Sequence, residues 1–378
     1  MSGTIIWILK SLGVITLERN PHVSQKRESA ANSIREMKRH IYTPHVRDLI
    51  DPRHPFDWWR ARESRALVNS NFSYTPPSHN SDSLITEVLR SGKPALIGRL
   101  GASEARFIGE CFKLRRWERL GVSREIGKYL HPRWKPRLRE IDNGTGFLSE
   151  DWGSIDHFND QYVAALKSTD VVGIWGTPFA WPERIALRHM SPIRAVPLEH
   201  TAPWLVARLS TFQLNQLRSA PYEPWSQALA GKRVVVVSPF TKTISSQFNV
   251  RHKLFPGHSY PEFELRLVKA PWITHASSRD GYGWRWHLDD LKRQLASEPF
   301  DVAMISAGAL AYPLAHHAKN LGRVGIHAGG ALQLFFGILG KRWESRPNVM
   351  AFVNESWTRP SRSETPSNAL ALDDGCYW

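Results

Sequence analysis

Residues 300–337 read FDVAMISAGALAYPLAHHAKNLGRVGIHAGGALQLFFG. Val302 to Ile305 is an apolar run of strand length that ends in Ser306-Ala307-Gly308. Helix-compatible sequence follows from Leu310 to Asn320, and Gly322 is placed to stop it. A second strand, Arg323 to His327, runs into Ala328-Gly329-Gly330 and another apolar helix, Leu332 to Ile338. Strand, turn, helix, strand, glycine turn, helix is the order of a parallel α/β sheet. Both turns fall where strand carboxyl ends meet helix amino ends, the edge at which such sheets bind ligands. Small residues there admit a ligand to backbone N–H groups, and a helix N-terminus favours an anion. The same glycines would also serve tight turns alone; two in succession weigh toward a site.

Upstream the alternation continues. Pro94 to Leu100 is a strand, followed by Gly101-Ala102-Ser103-Glu104 and a helix from Ala105 to about Arg116, with Ser103 as N-cap. Two roles are open to Glu104: complementing the helix dipole in the first turn, or facing a cleft at the strand's carboxyl end. Asp170 to Trp175 and Ile193 to Pro197 are further strands. Arg233 to Val237 is the purest buried strand and opens into Ser238-Pro239-Phe240-Thr241; Glu262 to Val268 is another. Helices are expected over 83–91, 155–167, 204–214, 244–254 and 284–296. About seven strands alternating with helices predict a doubly wound, mostly parallel, Rossmann-like α/β fold. Residues 1–80 read as a basic N-terminal extension, 81–345 as the α/β domain with a candidate half-sheet boundary near 218–230, and 346–378 as an irregular tail.

The chain has 378 residues, 42% of them apolar, and a mean hydropathy of −0.38, enough for a large core in a soluble protein. No run reaches the length of a bilayer span. Thr4 to Leu17 is too short for a span, carries Lys10 and lacks a small-residue cleavage site, so a signal peptide is not expected there. It suits an amphipathic surface helix or a helix packed on its own domain. Cys111 and Cys376 provide neither a disulfide framework nor metal-ligand spacing. A cytoplasmic protein, in part peripheral to the inner face of the cell membrane, is expected.

The formal net charge is +15, and residues 99–139 hold 12 Lys and Arg against 4 Asp and Glu. A basic face attracts nucleic acid, anionic lipid or a diphosphate-bearing substrate, or is simply solvated. There is no zinc-finger, RNP or KH context, so no specific nucleic-acid partner is expected.

Chemistry-bearing motifs are sparse. Without GxxxxGK[ST] or a GxGxxG after the first strand, neither a P-loop ATPase nor an ordinary NAD enzyme is indicated. Three strand ends carry small or hydroxylated turns instead: Ser238 to Thr241 with Phe240 between them, Ser306 to Ala309 with Gly308, and Ala328 to Gly330. Each can offer backbone N–H groups to a diphosphate that Lys341 or Arg342 would neutralise. His327, at a strand end beside Gly329 and Gly330, is the histidine best placed for a cleft; His200 has a weaker claim. Of sixteen tryptophans, Trp175, Trp181, Trp272 and Trp343 stand nearest strand ends and could stack on a sugar or base.

Ile97-Gly98-Arg99-Leu100-Gly101-Ala102-Ser103-Glu104 resembles the Arg-x-Gly-Asp-x-Glu element of the GT-D-fold glycosyltransferases, bacterial enzymes that build surface polysaccharides and glycans. Asp301 to Gly330 is similar to that fold's closing half. Gly329 to Gly337, containing Gln333, and onward through Lys341-Arg342-Trp343 resembles GT-D-like proteins of polysaccharide loci. The resemblance covers roughly residues 85–345. It implies a nucleotide-sugar donor, a glycan or lipid-linked glycan acceptor, and a role in extracellular or capsular polysaccharide or surface glycan biosynthesis. It carries Arg99, Gly101 and Glu104 over as site residues, with Ser103 between them. Glu104 would be a base, a donor-sugar ligand or a metal ligand, and Arg99 would balance leaving-group charge. The family's Asp is Ala102 here, and one carboxylate is a poor cage for Mg²⁺ or Mn²⁺. Metal-dependent and metal-independent transfer therefore both stay open. So do two other readings: a catalytically silent glycan- or nucleotide-binding protein, and an anionic-membrane or nucleic-acid binder acting through 99–139.

Overall fold

A computed structural model describes residues 72–74, 79–99, 101–130, 134–147, 151–174, 193–197, 224–273, 282–367, 369–371 and 373–378. All of these belong to the compact unit Arg62–Trp378. Residues 1–71 of the N-terminal extension, with Thr4 to Leu17, and Trp175, Trp181, His200 and the 204–214 helix lie outside the described residues.

The first half of the unit runs β1 (Phe72–Tyr74), α1 (His79–Arg90), β2 (Ala95–Arg99), α2 (Ala102–Arg119), α3 (Arg124–Leu130), α4 (Trp134–Thr145), α5 (Trp152–Ser168), β3 (Val171–Ile174) and β4 (Ile193–Pro197). The second half runs β5 (Arg233–Ser238), α6 (Thr241–Asn249), β6 (Glu264–Lys269), α7 (Trp284–Ser297), β7 (Val302–Ile305), α8 (Ala311–Asn320), β8 (Val324–His327), α9 (Ala331–Phe335), α10 (Lys341–Glu344) and α11 (Pro347–Met350).

The strands form one parallel sheet in the order β1-β4-β3-β2-β8-β7-β5-β6. The inner strands β2, β5, β7 and β8 are buried on both faces and mostly apolar, as inner parallel strands must be, whereas edge strand β6 carries Glu264, Arg266 and Lys269 and is partly exposed. Alternate residues of β5 serve opposite faces. Val235 and Val237 join the core under α2, α5, α7 and α8, while Val234 and Val236 join the core under α1, α6 and α9. Helices on both faces of an all-parallel sheet make this a doubly wound α/β fold.

Several element limits differ from the sequence expectation, each for a local reason. Phe72–Tyr74, in a stretch with loop-like composition, pairs with Ile193–Ala195 and adds an eighth strand. Helix α2 starts at Ala102, so Ser103 and Glu104 lie inside its first turn and Ser103 is not the N-cap. Helix α5 starts three residues before Ile155 because Asp151 and Ser154 form a capping box. Trp225–Leu229, within the stretch expected to be a connector, is a 3₁₀ turn whose Trp225 and Leu229 are buried in the core. In the C-terminal stretch, Val349 and Trp357 are buried in the same core and Tyr377 and Trp378 pack against it.

Candidate functional site at the carboxyl edge of β2 and β8

Adjacent strands β2 and β8 are followed by helices on opposite faces, α2 on one and α9 on the other. Between such strands the connections diverge and leave a crevice at the carboxyl edge. Arg99, the last residue of β2, closes the seam by donating Nη1–H to the carbonyl of Ala328, just beyond β8, at 3.3 Å.

Glu104 sits in the first turn of α2 and is buried. Its carboxylate accepts from its own backbone N–H and is attracted by Arg99. Burial outweighs both and, with the nearby charge of Glu140, raises its pKa to about 6. Gly101 leaves room for the Glu104 carboxylate, because a Cβ there would collide with it and the carboxylate would have to move. Behind Glu104 lies a tyrosine layer. Tyr162 Oη donates to the carbonyl of Ala309 at 2.9 Å, and Tyr312 Oη shares a 2.6 Å hydrogen bond with Thr169 Oγ1. The two rings stack at 5.9 Å.

Arg99 is pulled the other way. Burial, then repulsion from Arg342, lowers its pKa to about 10, so it remains a cation at neutral pH. His327 ends β8 edge-on to Tyr312, with centroids 5.7 Å apart. Burial and the Arg99 charge lower its pKa to about 3, although it hydrogen-bonds the Arg99 backbone. It is therefore a neutral imidazole, and its Nδ1 has no partner among the described residues.

The other wall comes from the C-terminal stretch. Arg342 donates from Nε and Nη2 to Cys376 Sγ at 3.1 and 2.6 Å, and its guanidinium lies 4.2 Å from the Tyr377 ring centroid. Gln333 donates Nε2–H to the Tyr377 carbonyl at 3.0 Å. A Cβ on Gly330 would come 3.0 Å from Arg342 Nη1, and one on Gly329 3.4 Å from Arg99 Nε, so both glycines lie beside arginines. Arg99, Gly101, Glu104, His327, Gly329, Gly330, Gln333 and Arg342 thus meet in one place.

The remaining sequence candidates are placed differently. Ser238 accepts from the Phe240 N–H at 3.2 Å, stabilising its own turn. Thr241 lies inside α6, whose N-terminus is occupied by the Glu364 carboxylate. Glu364 accepts from the N–H groups of Lys242 at 2.7 Å and Thr243 at 3.1 Å, and from the Thr243 hydroxyl. Trp272 and Trp378, 4.7 Å apart, each pack edge-on against Phe240. Ser306 donates its N–H to the Val237 carbonyl at 2.9 Å, and Gly308, at φ 52°, sits where a Cβ would collide with the carbonyl of Thr145. Ser103 faces Glu140, 3.5 Å from Oε1, and the Lys341 side chain is exposed.

Much of the basic segment is paired within the protein. Arg115 bridges Asp156 and Asp160, Arg124 bridges Glu118 and Asp156, and Arg106 and Arg137 share Glu140. Lys113 pairs with Glu110.

Glu104 has a guanidinium beside it where a cation cage would need further carboxylates, a donor set that does not suit Mg²⁺ or Mn²⁺. Among the described residues no group of three His, Cys, Asp or Glu side chains could hold a metal. What the crevice can do is bind an anion between two arginines and exchange a proton at Glu104 close to neutral pH.

Cys376, Tyr377 and Glu364 were not foreseeable as site or near-site residues. They lie in a stretch without periodicity, and their placement depends on long-range packing. Gly101 and Glu104 carried a signal, a glycine three residues before an acid at a strand-to-helix junction. Compared with known protein families, with characterised proteins and with solved structures, the chain shows no match.

Proposed function

We propose that the protein is a nucleotide-sugar-dependent glycosyltransferase acting in bacterial extracellular polysaccharide or surface glycan assembly. The observation that carries this reading is the buried Glu104 carboxylate, with its pKa near 6, at a carboxyl-edge crevice that also holds Arg99 and Arg342. The acceptor oxygen attacks the donor's anomeric carbon as the bond to the nucleoside diphosphate breaks. Glu104 takes the acceptor proton, acting as general base. Arg99 and Arg342 stabilise the departing diphosphate, in the role of preorganised electrostatics. His327, neutral and with Nδ1 open, accepts a hydrogen bond from a donor hydroxyl.

A catalytically silent nucleotide- or glycan-binding protein is the second reading. It is favoured by the Glu104 carboxylate closing on its own helix end and by the hold of Cys376 and Tyr377 on Arg342. A thermal-shift screen against UDP-, GDP-, CMP- and dTDP-sugars, followed by an assay of nucleotide release, separates the two. Transfer requires one nucleotide class to raise Tm and to be turned over. A shift without turnover favours the silent binder, and no shift with any nucleotide-sugar contradicts both nucleotide readings.

A further inference from the structure

The corner where α2 passes into α3 departs from the rest of the surface. Leu120 is 72% exposed and Ile126 54% exposed, in a protein that buries most of its aliphatic side chains. Arg116 and Arg119 occupy the last turn of α2 just before Leu120, both exposed and neither in an ion pair among the described residues. Of the acids of the corner, Glu118 pairs with Arg124, and the exposed Glu125 accepts from the neutral Trp152 indole N–H at 2.7 Å. An aliphatic tip with a cationic collar matches the boundary layer of a bilayer, where anionic headgroups overlie hydrocarbon.

We propose that the α2–α3 corner is a docking surface for an anionic lipid bilayer. The charge sign selects the occupant, because the exposed Arg116 and Arg119 outnumber Glu125, the one exposed carboxylate of the corner among the described residues. The geometry sets a distance as well. Helix α2 has 18 residues and carries Glu104 at its first turn and the corner at its end. At 1.5 Å per residue the two are separated by roughly 20–25 Å. Docking at the corner therefore leaves the crevice outside the lipid contact. If the glycosyltransferase reading holds, on which this last step rests, the acceptor reaches the crevice as the outer end of a chain extending from the membrane.

The test is co-sedimentation of the full chain with phosphatidylglycerol/phosphatidylethanolamine vesicles and with phosphatidylcholine vesicles. The double variants Leu120→Asp/Ile126→Asp and Arg116→Gln/Arg119→Gln are measured beside the wild type. Expected is binding to the anionic vesicles only, weakened at least roughly tenfold in each double variant and by about 0.5 M salt. Circular dichroism and nucleotide-sugar thermal shifts are expected to be those of the wild type, which keeps this result separate from the fate of the proposed activity. Wild-type sedimentation of both variants, equal binding to neutral vesicles, or no vesicle binding by the wild type overturns the proposal.

Discussion

Arg99 and Ala328 are joined by one hydrogen bond, Nη1–H to carbonyl oxygen at 3.3 Å, across the seam between β2 and β8. That bond uses one of the five N–H donors of the guanidinium and fixes its plane at the mouth of the crevice. A lysine at 99 would keep the charge and lose the planar fork. Arg99→Lys is expected to weaken nucleotide-sugar binding by roughly tenfold, about 1.4 kcal/mol, with a smaller change in folding stability. Isothermal titration beside a denaturant melt checks this. Unaltered affinity would remove Arg99 from the anion site.

Gly101 leaves the space into which the Glu104 carboxylate folds. A methyl group there meets the end of a flexible side chain, so the carboxylate would move and the backbone would stay. Gly101→Ala is expected to lower kcat by roughly tenfold or more while costing under about 1 kcal/mol of stability. A variant that unfolds would show the glycine to be structural.

The ionisation of Glu104 also sets a pH dependence of folding. Its pKa lies at about 6 in the folded protein against an ordinary 4.5, so the folded state binds the proton more tightly. The resulting stabilisation is complete below about pH 4.5 and is lost as pH rises through about 6. Glu104→Gln, which cannot ionise, is expected to gain on the wild type by up to roughly 2 kcal/mol between pH 4.5 and pH 8. Parallel urea titrations across that range would detect it; parallel stability curves would mean that Glu104 is not buried as a carboxylate.

Glu364 closes the N-terminus of α6 with two backbone N–H groups and the Thr243 hydroxyl. Truncation would leave those donors buried without an acceptor. Glu364→Ala is expected to cost about 2–3 kcal/mol and to lower Tm by several degrees. If this turn instead receives the donor diphosphate, the same substitution would tighten nucleotide binding, which titration with the nucleoside diphosphate would reveal.

The sheet was legible where period and punctuation agree. Val302–Ile305 and Ile193–Pro197 fall at the limits their apolar content predicts, and Arg233–Ser238 exceeds its expectation by one residue. Phe72–Tyr74 was not legible, because a three-residue edge strand is defined by its partner and not by its own composition. Ser103 looked like a cap, yet tertiary packing carries α2 back to Ala102 and turns Ser103 toward Glu140. The crevice itself was half legible. Arg99, Glu104 and the Gly329-Gly330 turn are local features of strand ends. Cys376 and Tyr377 reach Arg342 from 34 and 35 positions down the chain, a distance at which no short-range pattern operates.

The most direct measurement is the pH dependence of nucleoside diphosphate release from the nucleotide-sugar identified by thermal shift, for the wild type and Glu104→Gln between about pH 5 and pH 9. A general base at Glu104 predicts that wild-type kcat/KM rises with pH through an apparent pKa near 6, and that the folded variant loses roughly a hundredfold or more together with that limb. A variant that turns over at the wild-type rate with the same profile would contradict the assignment of Glu104 as the catalytic carboxylate.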